Sequence, residues 1–244
     1  MKPLMIRIGN FLFRYRNRLF PVLILAIFSF APPPTEIFRQ EFLEGFKDII
    51  ALALAISGLA VRAVVIGYAY IKRGGLKKQV YADHLVTEGM FSLCRNPLYF
   101  GNVLIYIGVF LMHGNPVVLL TGTALYLFIY QCIIYAEEAY LGTKFGSSYA
   151  DYCNTVPRWI PRVRHFHRAT EGMAFNMKLV IIKDYATIAT TVIALVLTEA
   201  YEYIALPNIY THIRYLLFLS AVVIACGLWT AIVRIIKKRP VHIA

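Results

Sequence analysis

Apolar runs long enough to cross a bilayer constrain this chain more than any motif in it. A helix needs about 20 mainly apolar residues to span the hydrocarbon, and only helices and closed barrels satisfy their backbones there. Ile49 to Ile71 meets that length outright. Further runs lie at Leu19 to Ala31, Pro97 to Met112, Pro116 to Tyr135, within Tyr185 to Leu206 and within Ile213 to Ile236. The first is short and must tilt, thin the bilayer or draw in Phe11 to Phe13. "HGNP" leaves room only for a tight hairpin between the third and fourth runs. The expected fold is therefore all-α: a polytopic membrane helical bundle of about six transmembrane helices. Composition agrees, with 59% of the 244 residues hydrophobic and only 16% charged.

The N-terminus imitates a signal peptide, with a basic region before a short apolar core. Three prolines follow that core and no small-x-small cleavage signal does, so it reads as a retained first helix. The organisation expected is residues 1–78 as N-terminal membrane helices and a basic loop, 79–165 as a core holding the helical hairpin and a cytosolic cover, and 166–244 as an additional pair of membrane helices.

A net charge of +12 raises the question of nucleic acid, and placement answers it. With six spans both termini share a side, and that side receives all but Arg39, Lys47, Arg62 and Arg214 of the 25 Lys and Arg residues. The asymmetry puts both termini in the cytoplasm. The basic residues are scattered over loop ends rather than grouped with exposed aromatics, so membrane lipids rather than nucleic acid are the partners expected. The two segments large enough to close over a ligand, Lys72 to Arg95 and Glu137 to Lys183, share this face. An active site would open to the cytoplasm. Arg62 falls inside a span, where it must meet a carboxylate, a carbonyl, water or a ligand. The sequence leaves the oligomeric state open.

Two polar clusters flank the hairpin: "DHLVTEGMFSLCRNPLYFGN" from Asp83, and "YAEEAYLGTKFGSSYADYCNTVPRWIPR". The hairpin brings its open ends together, so Arg95, Asn96 and Tyr99 can meet Glu137. Pro97 suits a first helical turn, Asn96 can cap it, and Tyr99 falls one turn on. A carboxylate or phosphate there would find free N–H groups and a guanidinium, although an ordinary anchored helix end has the same layout. Glu137 and Glu138 sit about 100° apart on a helix, so one can face the bundle while the other pairs with Arg or Lys outside.

No dinucleotide or phosphate loop and no zinc-protease motif is present. His165 and His167 stand two apart on a basic segment with no carboxylate or cysteine nearby, which reads as surface. Cys94, Cys132, Cys153 and Cys226 have neither metal-ligand spacing nor the density of a disulfide scaffold.

Together the clusters resemble the isoprenylcysteine carboxyl methyltransferase and phospholipid methyltransferase superfamily, whose pattern runs near L-V-x-x-G-x-Y-x-x-x-R-H-P-x-Y-x-G, then E-E-x-x-L, F-G-x-x-Y-x-x-Y and V-P-x-x-x-P. The matching residues are Leu85, Val86, Gly89, Phe91, Arg95, Asn96, Pro97, Tyr99 and Gly101; Glu137, Glu138 and Leu141; Phe145, Gly146, Tyr149 and Tyr152; and Val156, Pro157 and Pro161. The resemblance spans about Gln79 to Arg162. It implies S-adenosyl-L-methionine bound between membrane helices and a cytosolic cover, without a Rossmann domain, and a lipophilic or lipid methyl acceptor. It places the cofactor against Asp83, His84, Leu85, Val86, Phe91, Asn96, Pro97, Leu98, Tyr99 and Glu137, with Arg95, Asn96 and Glu137 as the catalytic group and no metal.

Three departures stand out. Asn96 replaces the histidine of R-H-P, Phe91 the tyrosine of G-x-Y, and Ile133 an arginine that precedes the glutamate pair in the isoprenylcysteine enzymes. They weaken the expectation of a protein prenylcysteine acceptor more than that of the donor. A membrane NADPH-dependent lipid or sterol reductase shares part of the pattern, but Leu98 and Asn102 replace residues that would favour it. A non-enzymatic protein with a degenerate site is the third possibility.

Overall fold

The structure is a computed structural model that describes residues 2–34, 41–68, 80, 82–205 and 209–238. The basic stretch Lys72 to Lys78, used above for orientation, and most of the proposed boundary near residue 78 lie outside these. Helices α1 (Lys2–Phe30), α2 (Glu41–Tyr68), α3 (Met90–Leu93), α4 (Pro97–Met112), α5 (Pro116–Thr155), α6 (Phe166–Thr170), α7 (Met177–Ala205) and α8 (Ile213–Lys238) follow in order, with no strand among the described residues.

Among the described residues four helices are long and apolar enough to cross a membrane: α2, α5, α7 and the α8 segment. Six were expected, and α1 and α4 are the two that fall short of that length or composition. The apolar run in α1 is preceded by Arg7, Arg14, Arg16 and Arg18 within the same helix, and α4 has only 16 residues. α5 departs the other way, running 40 residues where an end near Tyr135 was expected. A kink at Gly146 divides it, and at 1.5 Å per residue the 30 residues before the kink already measure about 45 Å, half again the hydrocarbon thickness, so the rest leaves the bilayer and becomes part of the cover.

α4 is the central element, packed against α2, α5 and α7, while α1 lies along α5. Small residues let α2 and α4 touch: a Cβ on Gly58 would meet the Gly101 carbonyl oxygen at 2.5 Å, and one on Gly108 would meet the Ala51 oxygen at 2.7 Å. The α1–α5 seam is aromatic, with Phe20 edge-on to Tyr126 and Tyr130, and the Tyr126 hydroxyl donating to the Phe20 carbonyl at 2.7 Å. α7 is tied to α2 at both ends. Near one end Arg62 pairs with Asp184; near the other Lys47 lies 3.4 Å from Glu202 while also meeting Glu44, Asp48 and the Met112 carbonyl. α8 packs mainly on α7 and leaves Leu217, Phe218, Ile224 and Leu228 exposed, the surface a lipid-facing helix presents.

Candidate active site

The cover is stitched to the start of α4 by its backbone. Arg95 N–H donates to the Pro157 carbonyl at 2.9 Å, and Arg162 N–H donates to the Leu93 carbonyl at 3.1 Å. Between them the Cys94 thiol donates to the Trp159 carbonyl at 3.0 Å. Burial pushes that thiol up to about 11, against the opposing pull of the Asn96 N–H and the Arg95 charge. Asn96 departs from expectation, because its side chain does not cap α4. Its Nδ2 reaches across to the Arg158 carbonyl at 3.0 Å, so the residue straps the helix mouth to the cover.

The glutamate pair divides as adjacent helical positions must. Glu138 is held by both Arg158 nitrogens, at 2.9 and 2.8 Å, and by Arg95 at 3.1 Å. Burial opposes the Arg158 charge, but the carboxylate beside it outweighs burial and raises the Arg158 pKa. Glu137 points the other way and accepts from the Tyr99 hydroxyl at 2.6 Å. Arg16 of α1 donates to the same hydroxyl at 3.5 Å.

One cavity of about 1290 Å³ is lined by Asp83, His84, Leu85, Val86, Phe91, Arg95, Asn96, Pro97, Leu98, Tyr99 and Glu137. Every residue selected from the sequence therefore borders the same space, with Asp83 and His84 at its exposed rim. The cavity also takes in residues that sequence reasoning missed as site members: Arg16, Asn17 and Phe20 of α1, Asn102 and Tyr106 of α4, and Lys183, Thr187 and Leu197 of α7. Nothing distinguished Arg16 from the other basic residues expected on the cytoplasmic side. Arg62, held open above between a structural and a ligand role, meets a carboxylate and also borders the cavity.

The donor set suits S-adenosylmethionine in kind. Glu137 faces the space as an acceptor for an ammonium or ribose hydroxyl. Arg95 brings a buried Nε–H with no hydrogen-bond partner among the described residues, which a carboxylate would satisfy. Phe91, Tyr99, Tyr149 and Tyr152 supply aromatic faces for a sulfonium and a purine. The Tyr152 hydroxyl is anchored on the Phe91 carbonyl at 2.7 Å, which fixes two of those rings.

Residues 48–148 match the family described as "Phospholipid methyltransferase". The chain is 26% identical to the cobalt-zinc-cadmium resistance protein CzcN of Cupriavidus metallidurans, over 64% of this chain and 68% of that one. It is 41% identical to the protein-S-isoprenylcysteine O-methyltransferase of Schizosaccharomyces pombe over 33% of this chain and 35% of the relative. With the Saccharomyces cerevisiae protein of the same name it shares 29% identity over 58% and 60%. The match covers 68%, 35% and 60% of the lengths of these three relatives. No solved structure matches. The family match lies across α2, α4 and the part of α5 that bears the glutamate pair, so the likeness to the phospholipid and isoprenylcysteine methyltransferases falls on the elements that line the cavity.

Proposed function

We propose that this protein moves the methyl group of S-adenosylmethionine to a lipophilic acceptor: an isoprenylcysteine-like carboxylate, a phospholipid or another apolar small molecule. The observation that carries the reading is the cavity that the site residues share. Its 1290 Å³ exceeds the roughly 300–1,000 Å³ of a pocket for one small ligand, and it joins a polar, cover-roofed end to an apolar interior. Two molecules therefore have room to meet in it. Glu137, oriented by Tyr99, holds the donor's cationic or hydroxyl groups. Arg95 and the strap through Asn96 shape its carboxylate end. Asp83 to Val86, Phe91 and Pro97 to Tyr99 complete the wall.

The bound donor supplies a methyl carbon on sulfonium; an acceptor lone pair bonds to that carbon as the C–S bond breaks and its electron pair stays on sulfur. The protein's share is alignment and exclusion of water. A carboxylate or thiolate acceptor needs no proton removed, whereas an amine would have to lose one first.

In the same reading α1 and α4 complete a six-helix crossing with the four longer spans, and both termini and the cavity mouth face the cytoplasm. Residues 79–165 form the donor-binding core between the N-terminal helices and the C-terminal pair. Calorimetry on purified protein in detergent tests the donor. Saturable binding of S-adenosylmethionine and of its demethylated product, weakened at least tenfold by Glu137→Ala, is expected; binding of NADPH alone overturns the reading.

A further inference from the structure

A carboxylate lining an apolar cavity stays ionised only where its surroundings favour the charge. Glu137 borders the cavity from α5, and among the described residues no lysine or arginine is ion-paired with it. The nearby Arg95 and Arg158 pair with Glu138 instead. Glu138 in turn opposes a second negative charge beside it. What Glu137 has is the Tyr99 hydroxyl at 2.6 Å, and a cation that reaches that hydroxyl from another helix.

The cation is Arg16. Arg7, Arg14 and Arg18 of α1 are exposed, whereas Arg16 is half-buried. Gly9, Leu12, Phe13 and Phe20 are the buried residues of α1, and Arg16 follows Gly9 by seven positions and precedes Phe20 by four, which puts it on their face. That face is pressed onto α5, because a Cβ on Gly9 would collide with the Cys132 carbonyl oxygen. The Arg16 guanidinium lies over the Phe13 ring, 4.5 Å from its centroid, and donates to the Tyr99 hydroxyl oxygen at 3.5 Å. It borders the same cavity as Tyr99 and Glu137.

We propose that Arg16 is a positioning residue for donor binding: its N–H turns the Tyr99 hydroxyl toward Glu137, and its charge keeps Glu137 an anionic acceptor. This rests on the methyltransferase reading above. A tyrosine hydroxyl carries one proton. With Arg16 donating to its oxygen, that proton goes to Glu137 Oε1, and the other lone pairs of the carboxylate are left for the donor's ammonium or a ribose hydroxyl. Sulfonium and ammonium outweigh the donor's one carboxylate, so an ionised Glu137 holds it better than the neutral acid could. In surroundings of low dielectric the Arg16 charge still acts across the intervening hydroxyl. The family match begins at residue 48, so α1 brings this residue from outside the matched segment. The charged and titratable groups facing Glu137 are Arg16 of α1, Tyr99 of α4 and Glu138 of α5; Arg62, Asp83, His84, Arg95 and Lys183 border the same cavity.

The test is calorimetry of S-adenosylmethionine against wild type and Arg16 variants between about pH 6 and about pH 9. The free donor's own amine titrates in this range equally for every variant, so ratios to wild type report the protein. Arg16→Met keeps an apolar stem for Phe13. It is expected to match wild type within about threefold near pH 9 and to bind about tenfold more weakly near pH 6, the factor for about one pH unit in the protonation of Glu137. Arg16→Gln keeps an N–H for Tyr99 and loses only the charge, so it should behave likewise, while Arg16→Lys should stay close to wild type throughout. In Glu137→Gln, which cannot take up that proton, adding Arg16→Met should change affinity by less than about twofold. A loss equal at every pH, an equal loss in the Glu137→Gln background, or unchanged affinity in both neutral variants overturns the proposal. A wild type that binds neither S-adenosylmethionine nor S-adenosylhomocysteine sinks the methyltransferase reading instead. Infrared spectroscopy of the donor-free protein then still decides the role of Arg16. The protonated-carboxyl band that Glu137→Gln lacks should appear at higher pH in Arg16→Met than in wild type, and its appearance at the same pH overturns the proposal.

Discussion

Asn96 shows how a residue that departs from its superfamily's pattern can keep part of the same job. What the structure asks of it is an N–H reaching the Arg158 carbonyl, and a histidine ring in that place also offers an N–H. Asn96→Ala should therefore cost about one neutral hydrogen bond, near 1 kcal/mol, and raise the dissociation constant for S-adenosylmethionine about fivefold, whereas Asn96→His should stay within about twofold. Unchanged affinity in the alanine variant would show that the strap does not shape the donor pocket. Cys94 beside it gives a pH prediction. Its folded-state pKa is raised from 9.0 to about 11, so the native state holds its proton longer than the unfolded chain does. The resulting stability is complete below pH 9 and disappears as pH rises to about 11. Thermal unfolding in detergent should show that decline in the wild type and a flatter one in Cys94→Ser, which keeps a donor for Trp159. The division of the glutamates was legible because 100° per residue forces it. The role of Arg16 was not, because a cationic side chain aimed at Tyr99 from another helix leaves no local pattern.

At the scale of elements, the hairpin and its turn were legible because Pro97 and Pro116 each open a helix and Gly114 takes a positive φ of 76° between them. The length of α5 was not, because hydropathy falls near Tyr135 while the helix continues on a polar face that the cover needs. Its direction changes at Gly146, whose φ of 53° and ψ of −124° lie in a region that residues with a Cβ rarely enter. A Cβ there would touch nothing within 4 Å, so any penalty is conformational rather than steric. Gly146→Ala should cost about 1–3 kcal/mol and re-aim the following turns, which carry Tyr149 and Tyr152 into the cavity wall. Calorimetry should then find weaker donor binding together with a lowered melting temperature. A variant with full donor affinity would show that the kink serves only to end the rod.

The whole molecule turns on what the C-terminal pair contributes. Periodicity marks α7 as a span but does not say that Asp184 and Glu202 point at α2, because each is merely one acid in an apolar run. The structure uses them differently. They lie 18 residues apart on α7, about 27 Å, so the helix is fastened to α2 near both edges of the hydrocarbon. Glu202 shares Lys47 with Glu44 and Asp48, so Lys47 remains paired without it. Asp184 supplies the carboxylate that Arg62 meets in the described structure, with Asn102 and Thr187 adding only neutral oxygens. Breaking a buried pair by removing one charge costs about 3–5 kcal/mol, because the other is left uncompensated. Asp184→Asn should therefore destabilise the protein by about that amount, and Glu202→Gln by less than about 1 kcal/mol, in thermal unfolding at neutral pH. Arg62→Met added to Asp184→Leu should recover most of the loss, since an apolar pair of similar volume replaces the ion pair. If the two single variants lose equal stability, the Arg62 end is not the stronger fastening and α7 is held to the bundle chiefly by its apolar face.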